Sequence, residues 1–167
     1  NVEHTLLGSA RACPDRELIY VAGNDVTERR RIERAVSLSQ ELAVGIGASE
    51  TFESALELAL SRICEEIGFE LGHAWTREPS VSYLELSASW AQSEDRLERF
   101  RSRSACMTFE RTKGIPGEAW ARGEPVWVDD MRADASLPRA SFAREAGIGA
   151  GVAVPVQADG EVVAVLE

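Results

Sequence analysis

A change in the spacing of apolar residues at Gly68 constrains the possible folds of this chain more than any other feature of its sequence. Before it, apolar residues recur at the period of a helix, and a glycine commonly ends a helix. After it, apolar and other residues alternate over 69–75 and again over 84–90, which is typical of strands. The pattern predicts a helix beside two antiparallel strands, and hence an α+β domain. The helical stripe consists of Phe52, Ala55, Leu56, Ala59, Leu60, Ile63, Cys64 and Ile67.

The rest of the chain after residue 90 predicts short elements that complete a sheet. At the end, residues 148–156 alternate, Asp159-Gly160 is a hairpin-turn dipeptide, and 161–166 return as a strand. We therefore expect a central antiparallel sheet with helices on its faces. The other predicted elements are helices over 93–103, 114–123 and 139–146 and strands over 107–109 and 126–129.

Charge and composition narrow the functional classes. The 167 residues carry a formal net charge of −10, which repels phosphate backbones and anionic membranes, so we expect no nucleic-acid or membrane partner. No run is apolar enough to cross a membrane and no leader opens the chain, which predicts a cytoplasmic location. The three cysteines are dispersed and only two histidines occur, so we expect no metal site, no disulfide and no histidine-based catalysis.

Residues 1–47 differ in character from the rest. The apolar run Leu18–Ala22 after a turn at 13–16 predicts a hairpin within 1–25, and Asp25 with Glu28 forms a capping-box pattern that starts a helix near Val26. Gly45 and Gly47 are expected to end this helix, since glycine disfavours helix interiors. The predicted segments are therefore 1–25, a linker helix over 26–47 and a domain over 48–167.

Along the linker helix, five residues recur at spacings of three and four, as in a coiled-coil seam of two heptads. The seam predicts a parallel homodimer, and the alternative is a helix packed on its own domain. Its members are Ile32, Ala35, Ser39, Leu42 and Ile46.

Two segments resemble known families. A strand that runs into Asp25-Val26-Thr27-Glu28-Arg29 resembles the C-terminal edge of a PAS domain, whose exit motif opens a signalling helix. The run from Gly114 to Asp130 is similar to the central motif of GAF domains, and 154–166 resembles that family's closing strands. The GAF resemblance covers 49–167 and implies a small-molecule sensor. The family normally has a further helix after its last strand, so we expect the sequence to be truncated at Glu167.

The GAF resemblance implies a ligand pocket between the sheet and the helices and loops that follow the second strand. Aromatic residues in this region either line that pocket or fill the core, and both readings stay open. They are Trp90, Phe100, Phe109, Trp120, Trp127 and Phe142. His73 shares a strand face with large apolar residues, so we expect a half-buried, hydrogen-bonded histidine in preference to a metal or haem ligand.

Each ligand class known for GAF domains requires particular residues in the protein, and their presence can be checked in this sequence. A bilin needs a cysteine beside a histidine, and neither Cys64 nor Cys106 has one, while the family's cyclic-nucleotide signature does not occur. We therefore expect no bound cofactor, with an unidentified small ligand left open. A methionine sulfoxide reductase would need a low-pKa thiol beside a resolving thiol, which makes it a minor alternative.

PAS followed by GAF is typical of bacterial sensor histidine kinases and, less often, diguanylate cyclases. The segment itself lacks a phosphate-binding glycine loop and a phosphoacceptor histidine in a helical context. We therefore expect a non-enzymatic sensory input module of a two-component system, with its kinase or other output domain downstream in the same protein.

Overall fold

The computed structural model describes residues 5–13, 18–78 and 80–167. The chain separates into two compact units, Asn1–Ala43 and Val44–Glu167. In chain order the elements are β1 (Leu6–Cys13), β2 (Leu18–Asp25), α1 (Thr27–Ala48), α2 (Phe52–Ile67), β3 (Leu71–Thr76), β4 (Tyr83–Ala91), α3 (Glu94–Ala105), β5 (Thr108–Glu110), α4 (Gly114–Arg122), β6 (Val126–Val128), α5 (Ala140–Ala146), β7 (Gly151–Ala158) and β8 (Glu161–Leu166).

The first unit contains the predicted hairpin. Strands β1 and β2 pair antiparallel from Leu6 opposite Asp25 to Cys13 opposite Leu18, which confirms the hairpin, and its predicted turn falls largely on 14–17, outside the described residues. Where β2 meets α1, Asp25 Oδ1 accepts a hydrogen bond from the Thr27 amide at 2.9 Å. The Thr27 hydroxyl in turn accepts one from the Thr5 amide at 2.7 Å, so one side chain ties the hairpin to the helix.

Helix α1 does not end at Gly45 or Gly47, as their low helix propensity predicts, but runs on to Ala48. A Cβ placed at Gly45 would lie 2.7 Å from Leu58 Cδ2 of α2. Glycine therefore lets the last turn of α1 approach α2 closely, and α1 continues despite a propensity cost of about 1 kcal/mol for each glycine.

Helix α2 follows the predicted stripe. Thr51 and Ser54 form a capping box at its start, and Gly68 closes it in the left-handed conformation with φ of 75°. The side of α2 that faces the sheet buries Leu56, Leu60 and Cys64, as the helical spacing predicts.

The second unit is built on a six-stranded antiparallel sheet in the order β5-β4-β3-β8-β7-β6. The predicted closing hairpin is present: β7 pairs with β8, and Asp159 and Gly160 have φ of 52° and 81°, which suits a two-residue turn. The fold is α+β with a central antiparallel sheet and flanking helices, as expected.

The two faces of the sheet bury different clusters. On one face, α2 packs against β3 and β4 through a small cluster around Leu60, Ala74 and Ala88. On the other face, α3, α4 and α5 cover a larger aromatic cluster that includes Trp75 and Phe109, whose rings meet edge to face with centroids 4.8 Å apart. The candidate site lies on this second face.

Candidate ligand-binding site

A cavity of about 370 Å³ lies between the sheet, α3 and the loops that flank α5. This is the size of pocket that takes a small organic molecule. Most of its wall is apolar and comes from the start of β3, from α3, from the loop after β6, and from the loop before β7 with the first residues of β7. The apolar lining includes Leu71, Leu97, Phe100, Met131, Ile148 and Val152.

The first residues of β3 and β7 contribute to the wall of this cavity. Strand β8 pairs with β3 from Thr76 to Ala74 and with β7 as far as Val154, and a final backbone pair joins His73 to Glu167. Leu71 at the start of β3 and Gly151 at the start of β7 both line the cavity.

Polar groups sit at the inner wall of this cavity. The Arg139 guanidinium donates a hydrogen bond to Glu167 Oε1. Trp75 Nε1 donates to Glu167 Oε2 at 2.9 Å, and His73 Nδ1 lies 3.9 Å from the same oxygen. The side chains of Arg139 and Glu167 are only 3% and 8% exposed, so this is a buried ion pair.

Strand register and packing together explain why these groups meet. Because Ala74 is opposite Leu166, His73 is opposite Glu167, and their backbones exchange two hydrogen bonds of 2.8 Å. Directly opposed residues of an antiparallel pair share a face, so both side chains enter the α3 side. Arg139 is the residue immediately before α5. Its guanidinium carbon lies 5.0 to 5.4 Å from the ring centroids of three aromatic residues. These rings belong to Trp75, Phe100 and Phe109.

His73 is more deeply buried than the sequence predicts. It is 2% exposed, because α3 covers it and the Phe100 ring stacks on its imidazole with centroids 5.9 Å apart. Burial, with the positive charges of Arg139 and Arg101, lowers the pKa of His73 from 6.5 to about 3. The imidazole is therefore neutral at neutral pH, and the expected half-buried, hydrogen-bonded state is corrected in this respect.

Two polar atoms of the inner wall lack hydrogen-bond partners within the described chain. They are Nε2 of His73 and Nη1 of Arg139, both almost fully buried. Buried polar atoms are nearly always paired, and an unpaired one costs about 1–3 kcal/mol. Both residues line the cavity, but these two atoms themselves have almost no accessible surface.

Comparison with known proteins identifies the family. The family model for the GAF domain matches residues 49–167, most of the chain. The chain belongs to the GAF domain family. No curated protein is similar enough to count as a match.

Solved structures share the GAF fold at low sequence identity. A GAF domain of A. aeolicus in an inactive state has a TM-score of 0.62 at 18% identity, over 80% of this chain and 76% of that one. The GAF domain of a phosphoenolpyruvate-protein phosphotransferase from Coxiella burnetii has a TM-score of 0.63 at 16% identity, again over 80% and 76%. Free methionine-R-sulfoxide reductase from Neisseria meningitidis, solved with its substrate, reaches 0.59 at 21% identity, over 77% and 68%. These likenesses support the fold.

The structure separates the six aromatic residues predicted for the GAF pocket. Phe100 and Trp127 line the cavity, and Trp127 stands at its rim with 71% of its surface exposed. Phe109 and Trp120 are buried in the core away from the lining. Phe142 packs against the same core beneath Arg103, whose guanidinium carbon is 4.6 Å from the ring centroid.

Trp90 lies on the other side of the sheet. It is directly opposite Gly72 in the β3–β4 ladder and packs against the small cluster under α2. A Cβ at Gly72 would meet Cys64 Sγ at 2.7 Å, so this pair belongs to the α2 face. Trp90 therefore does not line the cavity, because side chains alternate between faces along β4 and that of Trp90 lies on the face opposite α3.

Sequence reasoning did not single out Arg139 or Glu167. Glu167 follows a run of five apolar residues, 162–166, that does not alternate, so no periodicity marks it as an inward position. Arg139 carries no signal either, since its neighbours do not distinguish it from the exposed arginines of this chain.

The cysteines of the GAF domain do not form a thiol pair at the cavity. Cys64 is buried under the opposite face, and burial with the nearby charge of Glu65 raises its pKa from 9.0 to about 11. Cys106 is exposed and lies outside the cavity lining. Over the described residues no cluster of three or more side chains could hold a metal ion, and no described helix is long and apolar enough to cross a membrane.

Proposed function

We propose that this GAF domain is the sensory input of a bacterial multidomain signalling protein, a sensor histidine kinase, and that its cavity receives a small molecule. The observation that supports this most is the cavity beside α3, whose largely apolar wall also contains His73 and the buried Arg139–Glu167 ion pair. Such a combination of apolar surface and a few polar groups is typical of ligand sites. The protein acts in the cytoplasm and needs neither nucleic acid nor membrane.

Helix α1 carries the signal in this proposal. It has no buried residue over 22 positions, and Ile32 and Ile46 of the seam leave about half of their surfaces exposed. A second copy of the chain would cover these residues in a parallel homodimer. Asp25 and Thr27 link the preceding hairpin to the start of the helix, and this junction supports the PAS-like reading of residues 1–25.

The fragment itself performs no catalysis in this proposal, and the output domain lies downstream. A diguanylate cyclase output is the alternative to a kinase. A reductase like the Neisseria neighbour finds no support in the GAF domain, because Cys64 is a buried thiol of raised pKa and Cys106 is remote from the cavity.

Native mass spectrometry of the purified protein tests the sensory role. We expect a small molecule of fixed mass to accompany the protein and to be lost on denaturation.

Incubation of the fragment with ATP or GTP tests the absence of catalysis, and both nucleotides should stay intact. Nucleotide turnover above a buffer control would contradict the non-enzymatic reading, and autophosphorylation of the full-length protein separates a kinase from a cyclase output.

A further inference from the structure

We propose that the last turn of α1, residues 45–48, is a helix–coil hinge. In its closed state the turn is helical, as in the structure, and in its open state it unwinds while α2 keeps its own start. The proposal rests on the proposed sensory function for its role, which is to set how strongly a change in the GAF domain is passed into the rest of α1.

The first argument is the position of this turn in the chain. The boundary between the two compact units falls between Ala43 and Val44, inside a helix that continues to Ala48. Residues 27–43 of α1 therefore belong to the unit of the hairpin, and the last turn belongs to the unit of the GAF domain. The backbone that joins the two units is thus helical, and its stiffness depends on whether this turn stays wound.

The second argument is the different role of its two glycines. A Cβ on Gly45 would lie 2.7 Å from Leu58 Cδ2, so close packing on α2 favours glycine at that position. A Cβ on Gly47 would have no atom of the described residues within 4 Å, and the φ of Gly47 lies outside the left-handed region. Neither packing nor backbone conformation therefore requires glycine at position 47, where it weakens the helix relative to alanine.

The third argument is that the two sides of the turn are held independently. Helix α2 has its own cap, because Thr51 Oγ1 accepts from the Ser54 amide at 3.1 Å and Ser54 Oγ accepts from the Thr51 amide at 3.2 Å. The last turn of α1 is closed by Ser49, whose hydroxyl donates to the Gly45 carbonyl at 2.9 Å. Residues 46–48 are exposed, so unwinding them removes little packing and leaves α2 intact.

Hydrogen exchange of the intact protein tests the hinge, because a backbone amide in a helix exchanges when its turn opens. The amides of 46–48 report on the hinge, and those of 36–42 in the same helix are the internal reference. Gly47→Ala should slow exchange at 46–48 about fivefold, which is the equivalent of a helix-propensity difference of about 1 kcal/mol. An unchanged rate at 46–48, or equal slowing at 36–42, would overturn the proposal.

A variant of opposite sign tests the contact that closes the turn. Ser49→Ala removes the hydroxyl that bonds to Gly45, so exchange at 46–48 should become about fivefold faster, which corresponds to one net hydrogen bond. Ser37→Ala is the matched control, because Ser37 also donates its hydroxyl within α1, to Glu41 Oε1 at 3.3 Å, but lies outside the turn. No acceleration in Ser49→Ala, or the same acceleration in Ser37→Ala, would contradict the assignment.

Nitrogen-15 relaxation tests whether the turn controls the coupling of the two units. In the unaltered protein, the backbones of 27–43 and of 52–167 should have different apparent rotational correlation times, and Gly47→Ala should narrow that difference. Equal correlation times in the unaltered protein, or a difference that Gly47→Ala leaves unchanged, would overturn the hinge. These measurements need neither a ligand nor an output domain, so a failed hinge leaves the sensory function standing, and the absence of a co-purifying molecule leaves the hinge standing.

Discussion

Arg139 and Glu167, 28 residues apart in the sequence, form an ion pair of which less than a tenth is exposed. The pair connects the start of α5 to the end of β8, beside the stacked rings of His73 and Phe100. Its position gives the cavity its polar wall and links the residue before α5 to the residue after β8.

Breaking this pair on one side should be costly. Arg139→Met leaves the Glu167 carboxylate buried without a counterion, and we expect a loss of about 3–5 kcal/mol in the free energy of unfolding. Arg139→Met/Glu167→Gln should recover most of that loss, because neither charge is then buried alone. Urea unfolding of the three proteins measures both effects, and a double variant as unstable as the single one would contradict the assignment.

Stability should fall in mild acid because of His73. Its pKa is about 3 in the folded chain and 6.5 otherwise, so the unfolded state binds more protons between these values and stability rises with pH in that window. Well below pH 6.5 and down to the folded pKa, each further decrease of one pH unit should lower the free energy of unfolding by roughly 1.4 kcal/mol. Unfolding curves from pH 5 to 7 measure the slope, with His73→Leu as the comparison. An equal slope in that variant would show that another group is responsible.

The seam on α1 predicts dimerisation. Leu42→Glu places a charge where two helices would meet, and a buried unpaired charge costs several kcal/mol, so the dimer should dissociate. Gln40→Glu is the matched control, since it adds the same charge at an exposed position outside the seam. Analytical ultracentrifugation decides the question, and a dimer that survives Leu42→Glu, or a monomeric unaltered protein, would count against the seam.

Trp127 and Leu60 should respond differently to truncation. Leu60 is 3% exposed under α2, and Leu60→Ala should cost about 2–5 kcal/mol. Trp127 stands exposed at the cavity rim, so Trp127→Ala should cost about 1 kcal/mol or less while weakening ligand binding. Denaturant midpoints and titrations with the co-purified molecule measure the two effects, and a loss for Trp127→Ala as large as that for Leu60→Ala would place this ring in the core.

Local sequence pattern determined much of the secondary structure of this protein and indicated its fold. The stripe before Gly68 predicts α2 because helical periodicity and a left-handed cap are properties of adjacent residues. The turn at Asp159-Gly160 predicts the β7–β8 hairpin for the same reason. The motif from Gly114 to Asp130 indicated the GAF fold by resemblance, and the family match confirms it.

Only the tertiary structure decided which side chains meet. In the sequence, Trp90 and Phe100 are equally good candidates for the pocket. In the structure, the alternation along β4 places Trp90 on the α2 face, whereas Phe100 in α3 stacks on His73. Arg139 and Glu167 look like ordinary surface charges in the sequence, and the β3–β8 register with the placement of α5 buries them together. Periodicity reports the environment of a residue along its own element, whereas an ion pair between distant elements depends on register and packing, which no local pattern encodes.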